Sequence, residues 1–165
     1  LETQKLAYLL QEAGEPLRLN YVKHQYGPYA NNLNHVLHLM EGVFIRGFGD
    51  GTQKSAIRTL PGSTLAAREF VANDPEAQQR LQQIANLIAG FETPYGLELL
   101  ASIHWLAMHE ATPVASSEAA AAALQQWSPR KGNLFRPEHV RVAWRRLQDV
   151  GMISTTGNNH EPASS

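Results

Sequence analysis

The chain has 165 residues, of which 43% are hydrophobic and 18% are charged. This length suits one domain with its own core, and this composition excludes an intrinsically disordered chain. The absence of cysteine excludes disulfides, thiolate metal sites and cysteine nucleophiles. No apolar run reaches the roughly 18 residues of a membrane span, and no leader-like segment opens the sequence. We therefore expect a cytoplasmic protein without a membrane partner.

Charge is distributed unevenly along the chain, although the net charge is only −1. Residues 69–118 carry seven acidic residues and one basic residue, whereas residues 128–146 carry six basic residues and one acidic residue. This polarity predicts one surface that suits a basic partner and another that suits an anionic one.

Hydrophobic periodicity predicts a mainly helical domain. The predicted helices are one with the stripe Leu1, Leu6, Leu9 and Leu10 that Gly14 closes, one from Leu33 to Met40 that Gly42 stops, 63–72, one opened by Asp74 and Pro75, 95–109, an alanine-rich one at 119–123, and one from Pro137 to Gly151. Because no N-cap residue precedes the first helix, we expect the natural chain to extend upstream.

A small β element is predicted between residues 43 and 60. Residues 43–45 and 56–60 form two strands joined across Asp50-Gly51 as a hairpin, while Tyr26-Gly27-Pro28-Tyr29 indicates a turn after an extended segment at 16–22. A short strand at Met152-Ile153 would make the C-terminal part winged-helix-like. We expect one compact domain over 1–153 and a flexible tail over 154–165.

The sequence contains no constellation typical of catalysis. It lacks a G-x-S-x-G elbow, and the glycine-rich residues 47–51 lack the Lys-Ser/Thr of a phosphate-binding loop, so a hairpin turn explains them. His35 and His38 are three residues apart on one helix without a suitable carboxylate, which favours solvent-facing side chains over a metal site. His104 is expected in the core. No metal, cofactor or small-molecule substrate is predicted.

A basic cluster near the C-terminus has two interpretations. Its members are Arg130, Lys131, Arg141, Arg145 and Arg146. They either contact nucleic-acid phosphates from a recognition helix, or form a solvated helix face around a buried Trp144. The net charge near zero favours the second interpretation, so direct DNA binding is not the main expectation.

Several segments resemble the C-terminal domain of DarG antitoxins, which belong to DarTG toxin–antitoxin systems. They are Gln4 to Leu17, Lys23 to Ala30, Leu37 to Asp50, Phe91 to Leu100 with His104-Trp105, Trp127 to Lys131, and Glu138 to Trp144. The likeness runs in order through most of residues 1–153. The part from Lys5-Leu6 to Tyr26-Gly27-Pro28 also resembles the wider Panacea (SocA-like) antitoxin domain.

The resemblance implies a bacterial antitoxin domain that binds a DarT-type toxin. In this family an N-terminal macrodomain removes ADP-ribose from thymidine bases in DNA, and the C-terminal domain neutralises the toxin by direct contact. The sequence has no macrodomain-like glycine-rich loops. The resemblance therefore implies a domain that is not an enzyme.

The resemblance also gives the acidic stretch a role. The toxin acts on single-stranded DNA, so a basic substrate channel is expected in it, and carboxylates and aromatic rings could stand in for phosphates and bases. The candidate carboxylates are Glu92 and Glu98, followed by Asp74 and Glu76. The candidate rings are Tyr26, Tyr29, Tyr95 and Trp127, although Trp127 could equally belong to the core.

Overall fold

The computed structural model describes residues 2–48 and 56–155. Over these residues the chain is mainly helical with two small antiparallel sheets, which confirms the predicted fold class. The helices are α1 (Glu2–Glu12), α2 (Asn31–Met40), α3 (Ser63–Val71), α4 (Pro75–Ile88), α5 (Pro94–Met108), α6 (Ser117–Trp127), α7 (Pro129–Leu134) and α8 (Pro137–Asp149). The strands are β1 (Tyr21–His24), β2 (Gly27–Ala30), β3 (Ile45–Arg46) and β4 (Arg58–Thr59). None of the helices in these ranges combines the length and apolar composition of a bilayer span.

The chain divides into two compact units, Leu1–Ala101 and Ser102–Ser165. Helix α5 begins in the first unit and ends in the second. The single domain expected over 1–153 remains a prediction, as does the flexible tail, because residues 156–165 lie outside the described ranges.

The first unit has a hydrophobic cluster beneath the β1–β2 hairpin and α2. It consists of Leu19, Ala30, Leu33, Leu37 and Ile45. Leu33 and Leu37 are one turn apart on α2, so they form a single apolar stripe that packs on this cluster. The exposed His35 and His38 lie on the rest of the helix surface, as predicted.

The β1–β2 hairpin replaces the predicted extended segment and turn. Its register pairs His24 with Gly27 and Lys23 with Pro28, which leaves Gln25 and Tyr26 as the two-residue connection. Gly27 has a φ of +97°, a conformation that glycine adopts without a steric penalty. The tight connection therefore lies two residues earlier than the predicted turn, which was centred on Gly27-Pro28.

Helix α1 buries polar side chains against β2, so the predicted leucine stripe is only partly correct. Gln4, Lys5, Tyr8 and Leu9 are its buried residues. The Gln4 amide donates to the Ala30 carbonyl (2.9 Å) and accepts from the Ala30 N–H (3.0 Å), and Lys5 Nζ donates to the Pro28 carbonyl (2.6 Å). A donor alone is sufficient at Pro28 because proline has no N–H of its own.

The predicted hairpin between residues 43 and 60 is confirmed as a short antiparallel pair. Ile45 pairs with Thr59 and Arg46 with Arg58, while the connecting residues 49–55, including Asp50-Gly51, lie outside the described ranges.

The second unit contains α6, α7 and α8. Ser116 and Ser128 cap α6 and α7, because their hydroxyl oxygens accept from the N–H groups of Ala119 and Lys131 at 3.1 Å each. Helix α7 is absent from the sequence-based prediction, where Ser128-Pro129 was not recognised as a cap followed by a first-turn proline.

The predicted strand at Met152-Ile153 is wrong. Both residues are buried, and both of their N–H groups donate to the Leu147 carbonyl, at 2.9 and 3.3 Å. These bonds wrap the segment back onto the end of α8. Among residues 102–155 no strand is present, so this part of the chain has no wing.

Candidate interaction surfaces

Three aromatic rings lie together on the β1–β2 hairpin. The His24 ring is 5.2 Å from the Tyr29 ring and 6.1 Å from the Tyr26 ring, with interplanar angles of 33° and 36°. The Tyr29 hydroxyl accepts a hydrogen bond from Asn34 Nδ2 on α2. We call His24, Tyr26 and Tyr29 the hairpin aromatic cluster. Rings in this arrangement can stack on a base, an aromatic side chain or a guanidinium group.

The hairpin that carries the aromatic cluster is held by buried side chains of α1. On one edge of the hairpin, Gln4 and Lys5 hold the backbone of β2. At the end of the hairpin away from the connection, the Tyr21 ring contacts the Tyr8 ring edge-on at 5.1 Å, and its hydroxyl donates to the Gln4 carbonyl. Burial, and then the Glu12 carboxylate, raise the pKa of both tyrosines, so their hydroxyls stay protonated at neutral pH.

The candidate carboxylates each have a different environment. Asp74 caps α4 by accepting from the Ala77 N–H at 3.0 Å, and the exposed Glu76 forms an ion pair with Arg80 at 3.3 Å. Glu92 is exposed and accepts from the Gly90 N–H at 2.8 Å. Glu98 is only 7% exposed on α5. The structure therefore excludes Glu98 from the surface carboxylates, because it lies within residues 96–104 of α5, all of which are buried.

The exposed candidate carboxylates do not form one row. Asp74 and Glu76 lie at the start of α4, whereas Glu92 follows its end. A helix of 14 residues is about 21 Å long, so two groups of negative charge are separated by that length.

The two remaining candidate rings are half-buried, as Tyr26 and Tyr29 also are, whereas His24 is exposed. Tyr95 lies in the first turn of α5, and Trp127 is the last residue of α6. Lys131 Nζ lies 4.8 Å from the centre of the Trp127 ring. One face of Trp127 is therefore occupied within the second unit, which supports the core interpretation of this residue.

One residue of the predicted basic cluster, Lys131, is buried in the second unit. Lys131 is fully buried, with its Nζ 3.2 Å from Ser102 Oγ and 5.4 Å from the centre of the Phe135 ring. It cannot contact a phosphate from that position. Arg130, Arg141 and Arg145 are exposed and Arg146 is half-buried, so the predicted basic face consists of arginines alone.

His24 is the residue of the hairpin aromatic cluster that the sequence-based prediction missed. The sequence pattern that could have indicated it is the spacing of His24 and Tyr29 on either side of a connection that contains Tyr26. Since the strand pairing was not recognised, Val22, Lys23 and His24 were not expected to lie opposite Tyr29, Pro28 and Gly27.

No protein-family model matches this chain. It is 48% identical over 154 residues to a DNA ADP-ribosyl glycohydrolase from Thermus aquaticus, covering 93% of this chain and 42% of that relative. It is 38% identical over 154 residues to proteins of the same name from Mycobacterium tuberculosis and Mycobacterium bovis, covering 89% of this chain and 43% of each relative. The similarity supports the relation to DarG proteins that the sequence segments indicated.

The comparisons contradict the prediction that the chain is not an enzyme. Relatives that align with nearly all of it are named for an enzymatic activity, the hydrolysis of ADP-ribosyl groups on DNA. The chain spans 42–43% of the length of these curated relatives. Their activity is therefore carried to this chain only as a proposal.

Proposed function

We propose that this chain acts in the reversal of DNA ADP-ribosylation and that its part in this process is to bind a DarT-type toxin. Direct contact would neutralise the toxin by covering its single-stranded DNA site. The hairpin aromatic cluster is the observation that supports this proposal. A groove for single-stranded DNA binds flat rings by stacking, and the rings of this cluster could occupy the positions of the bases.

The rigidity of the hairpin supports binding without a large ordering cost. The bonds of Gln4 and Lys5 fix β2, and the Asn34–Tyr29 bond fixes one ring of the cluster. A surface that is ordered before binding loses less conformational entropy on association. The exposed Glu92 adds negative charge on the same unit, which favours a basic partner, whereas the charge of Glu76 is paired with Arg80.

The test is displacement of labelled single-stranded DNA from a purified DarT-type toxin by the native chain. We expect one chain to release one DNA. The substitutions Tyr26→Ala and His24→Ala should each raise the concentration needed for release about tenfold, because each removes a stacking ring.

Phe70→Ala is the matched control, since Phe70 is an aromatic residue that is 87% exposed on α3 and lies outside the cluster. It should leave displacement unchanged. A stable complex of chain, toxin and DNA together would contradict coverage of the DNA site. Failure of the native chain to bind the toxin at all would contradict the whole proposal.

The names of the relatives favour a second candidate, in which the chain contributes to DNA ADP-ribosyl glycohydrolase activity itself. Incubation of the native chain with ADP-ribosylated single-stranded DNA tests it by release of free ADP-ribose. Release in the absence of toxin would support this candidate, whereas unchanged DNA would leave toxin binding as the role of this part of the protein.

A further inference from the structure

Arg18 has a backbone conformation that an arginine rarely adopts. Its φ is +58°, and among the described residues it is the one residue other than glycine with a positive φ. Seven glycines occupy the other positive-φ positions in these ranges, Gly14 and Gly27 among them. In this left-handed region the Cβ of an L-residue crowds the neighbouring carbonyl oxygen, so arginine is strained where glycine is not.

Two amide side chains hold Arg18 and its neighbours in this conformation. Gln11 on α1 donates to the Leu19 carbonyl (2.9 Å) and accepts from the Leu19 N–H (2.7 Å). Asn32 on α2 donates to the Arg18 carbonyl (3.0 Å) and accepts from the Asn20 N–H (2.9 Å). Four hydrogen bonds across three residues fix the backbone, so the strain cannot relax locally.

Within the described residues, the Arg18 side chain forms no polar contact that would offset this strain. It is exposed, and the structure records neither a hydrogen bond nor an ion pair for its guanidinium among residues 2–48 and 56–155. A glycine would satisfy the same four bonds, because they use only backbone groups. A strained residue whose side chain does nothing inside its own chain points to a role in binding.

We propose that Arg18 binds a carboxylate on the protein partner, the DarT-type toxin, so this inference rests on the proposed function. The planar guanidinium forms paired hydrogen bonds with a carboxylate, and arginine is enriched among residues that dominate protein interfaces. Being positive, Arg18 cannot stand in for a phosphate, so its contact with a carboxylate would be of a different kind from the stacking proposed for the hairpin aromatic cluster.

The neighbours of Arg18 favour a protein over a nucleic acid. Pro16 and Leu17 are exposed and apolar, and the nearby basic side chain of Arg80 is already paired with the Glu15 carboxylate at 3.1 Å. A nucleic-acid site would instead need further basic side chains to neutralise successive phosphates.

The test combines stability and toxin binding in the same variants. Arg18→Gly and Arg18→Asn remove the guanidinium and suit a positive φ. We expect both to raise the melting temperature by about 2–4 °C and to weaken binding to purified DarT-type toxin at least tenfold. Arg68→Ala on α3 removes an exposed arginine from a helical position, and it should leave toxin binding unchanged.

Comparison of the native chain with the variants distinguishes failure of this inference from failure of the proposed function. If the native chain binds toxin and Arg18→Gly binds equally well, the role of Arg18 is wrong and the proposed function stands. If Arg18→Gly and Arg18→Asn both lower the melting temperature, the backbone of Arg18 is not strained and the inference loses its basis. If the native chain does not bind toxin, both proposals are overturned.

Discussion

At the scale of single residues, several polar side chains of this fold form hydrogen bonds away from the surface. Gln4 and Gln11 each present one donor and one acceptor to a backbone N–H and C=O, which is the pattern that a neighbouring strand would present. Lys5 and Lys131 bury whole side chains and direct their ammonium groups to oxygen atoms. Buried ammonium groups are costly unless they are paired in this way.

Lys131 should contribute to stability rather than to binding. Lys131→Ala is expected to lower the free energy of unfolding by about 3 kcal/mol, since it opens a cavity between Trp127 and Phe135 and removes the donor to Ser102. Urea denaturation measures the change.

Arg145→Ala is the control on the exposed surface of the same unit and should change the unfolding free energy by less than about 0.5 kcal/mol. Lys131→Met keeps most of the volume and should fall between the two. If Lys131→Ala were as mild as Arg145→Ala, the packing of this ammonium would be unimportant.

At the scale of elements, the start of α5 depends on a close approach between backbones. Thr93 caps the helix, with its hydroxyl oxygen accepting from the Gly96 N–H at 3.0 Å. A Cβ on Gly96 would lie 2.4 Å from the Phe91 carbonyl oxygen and 2.8 Å from the Phe91 Cα. The turn from Phe91 into α5 therefore requires glycine at this position.

Gly96→Ala should lower the free energy of unfolding by about 2 kcal/mol, because backbone atoms rather than a flexible side chain must move. Gly90→Ala is the comparison, since its Cβ meets nothing within 4 Å but its φ is +84°. That substitution should lower the unfolding free energy by about 1 kcal/mol. Thermal denaturation of both variants tests the order, and a larger effect at Gly90 would contradict it.

Local signals predicted most helices but not the partners of the strands. Asp74-Pro75 and Ser116 mark their helix starts as caps, and Gly42 and Gly151 follow the ends of α2 and α8, so these positions could be predicted from short windows. The β1–β2 hairpin was missed because its edge is completed by side chains of α1, at 23 and 26 residues' distance along the chain.

The candidate surface was predictable only in part for the same reason. The exposed Glu76 and the half-buried Tyr26 follow from composition and resemblance, whereas the burial of Glu98 and Lys131 depends on which face of a helix meets the core. The apolar residues on all sides of α5 gave no periodicity from which to place Glu98. The strain at Arg18 has no sequence signal, because it arises from bonds with two distant amides.

At the scale of the whole molecule, buried groups link stability to pH. His104 is 1% exposed, and burial, then the neighbouring His109, lower its pKa from 6.5 to about 4, against a hydrogen bond with the Met152 backbone that raises it. Folded His104 is therefore neutral at pH 5, whereas the unfolded chain binds a proton there. Because the unfolded state binds more protons between pH 6.5 and 4, stability falls as the pH is lowered through this range.

Between pH 7 and pH 5 the native chain should lose about 2 kcal/mol of unfolding free energy through His104. Urea denaturation at the two pH values measures the loss. His104→Gln should remove most of this difference, and His139→Gln, at an exposed position on α8, should preserve it. An equal pH dependence in native chain and His104→Gln would show that other groups cause it.

The polar side chains of α1 also determine how the hairpin behaves toward other copies of the chain. A strand with open N–H and C=O groups can recruit a strand from another molecule and so begin an aggregate. The outward-facing groups of β2 at Pro28 and Ala30 are already bonded to Lys5 and Gln4. That edge cannot accept a further strand. Helix α1 therefore prevents copies of this protein from pairing through β2, even at high concentration.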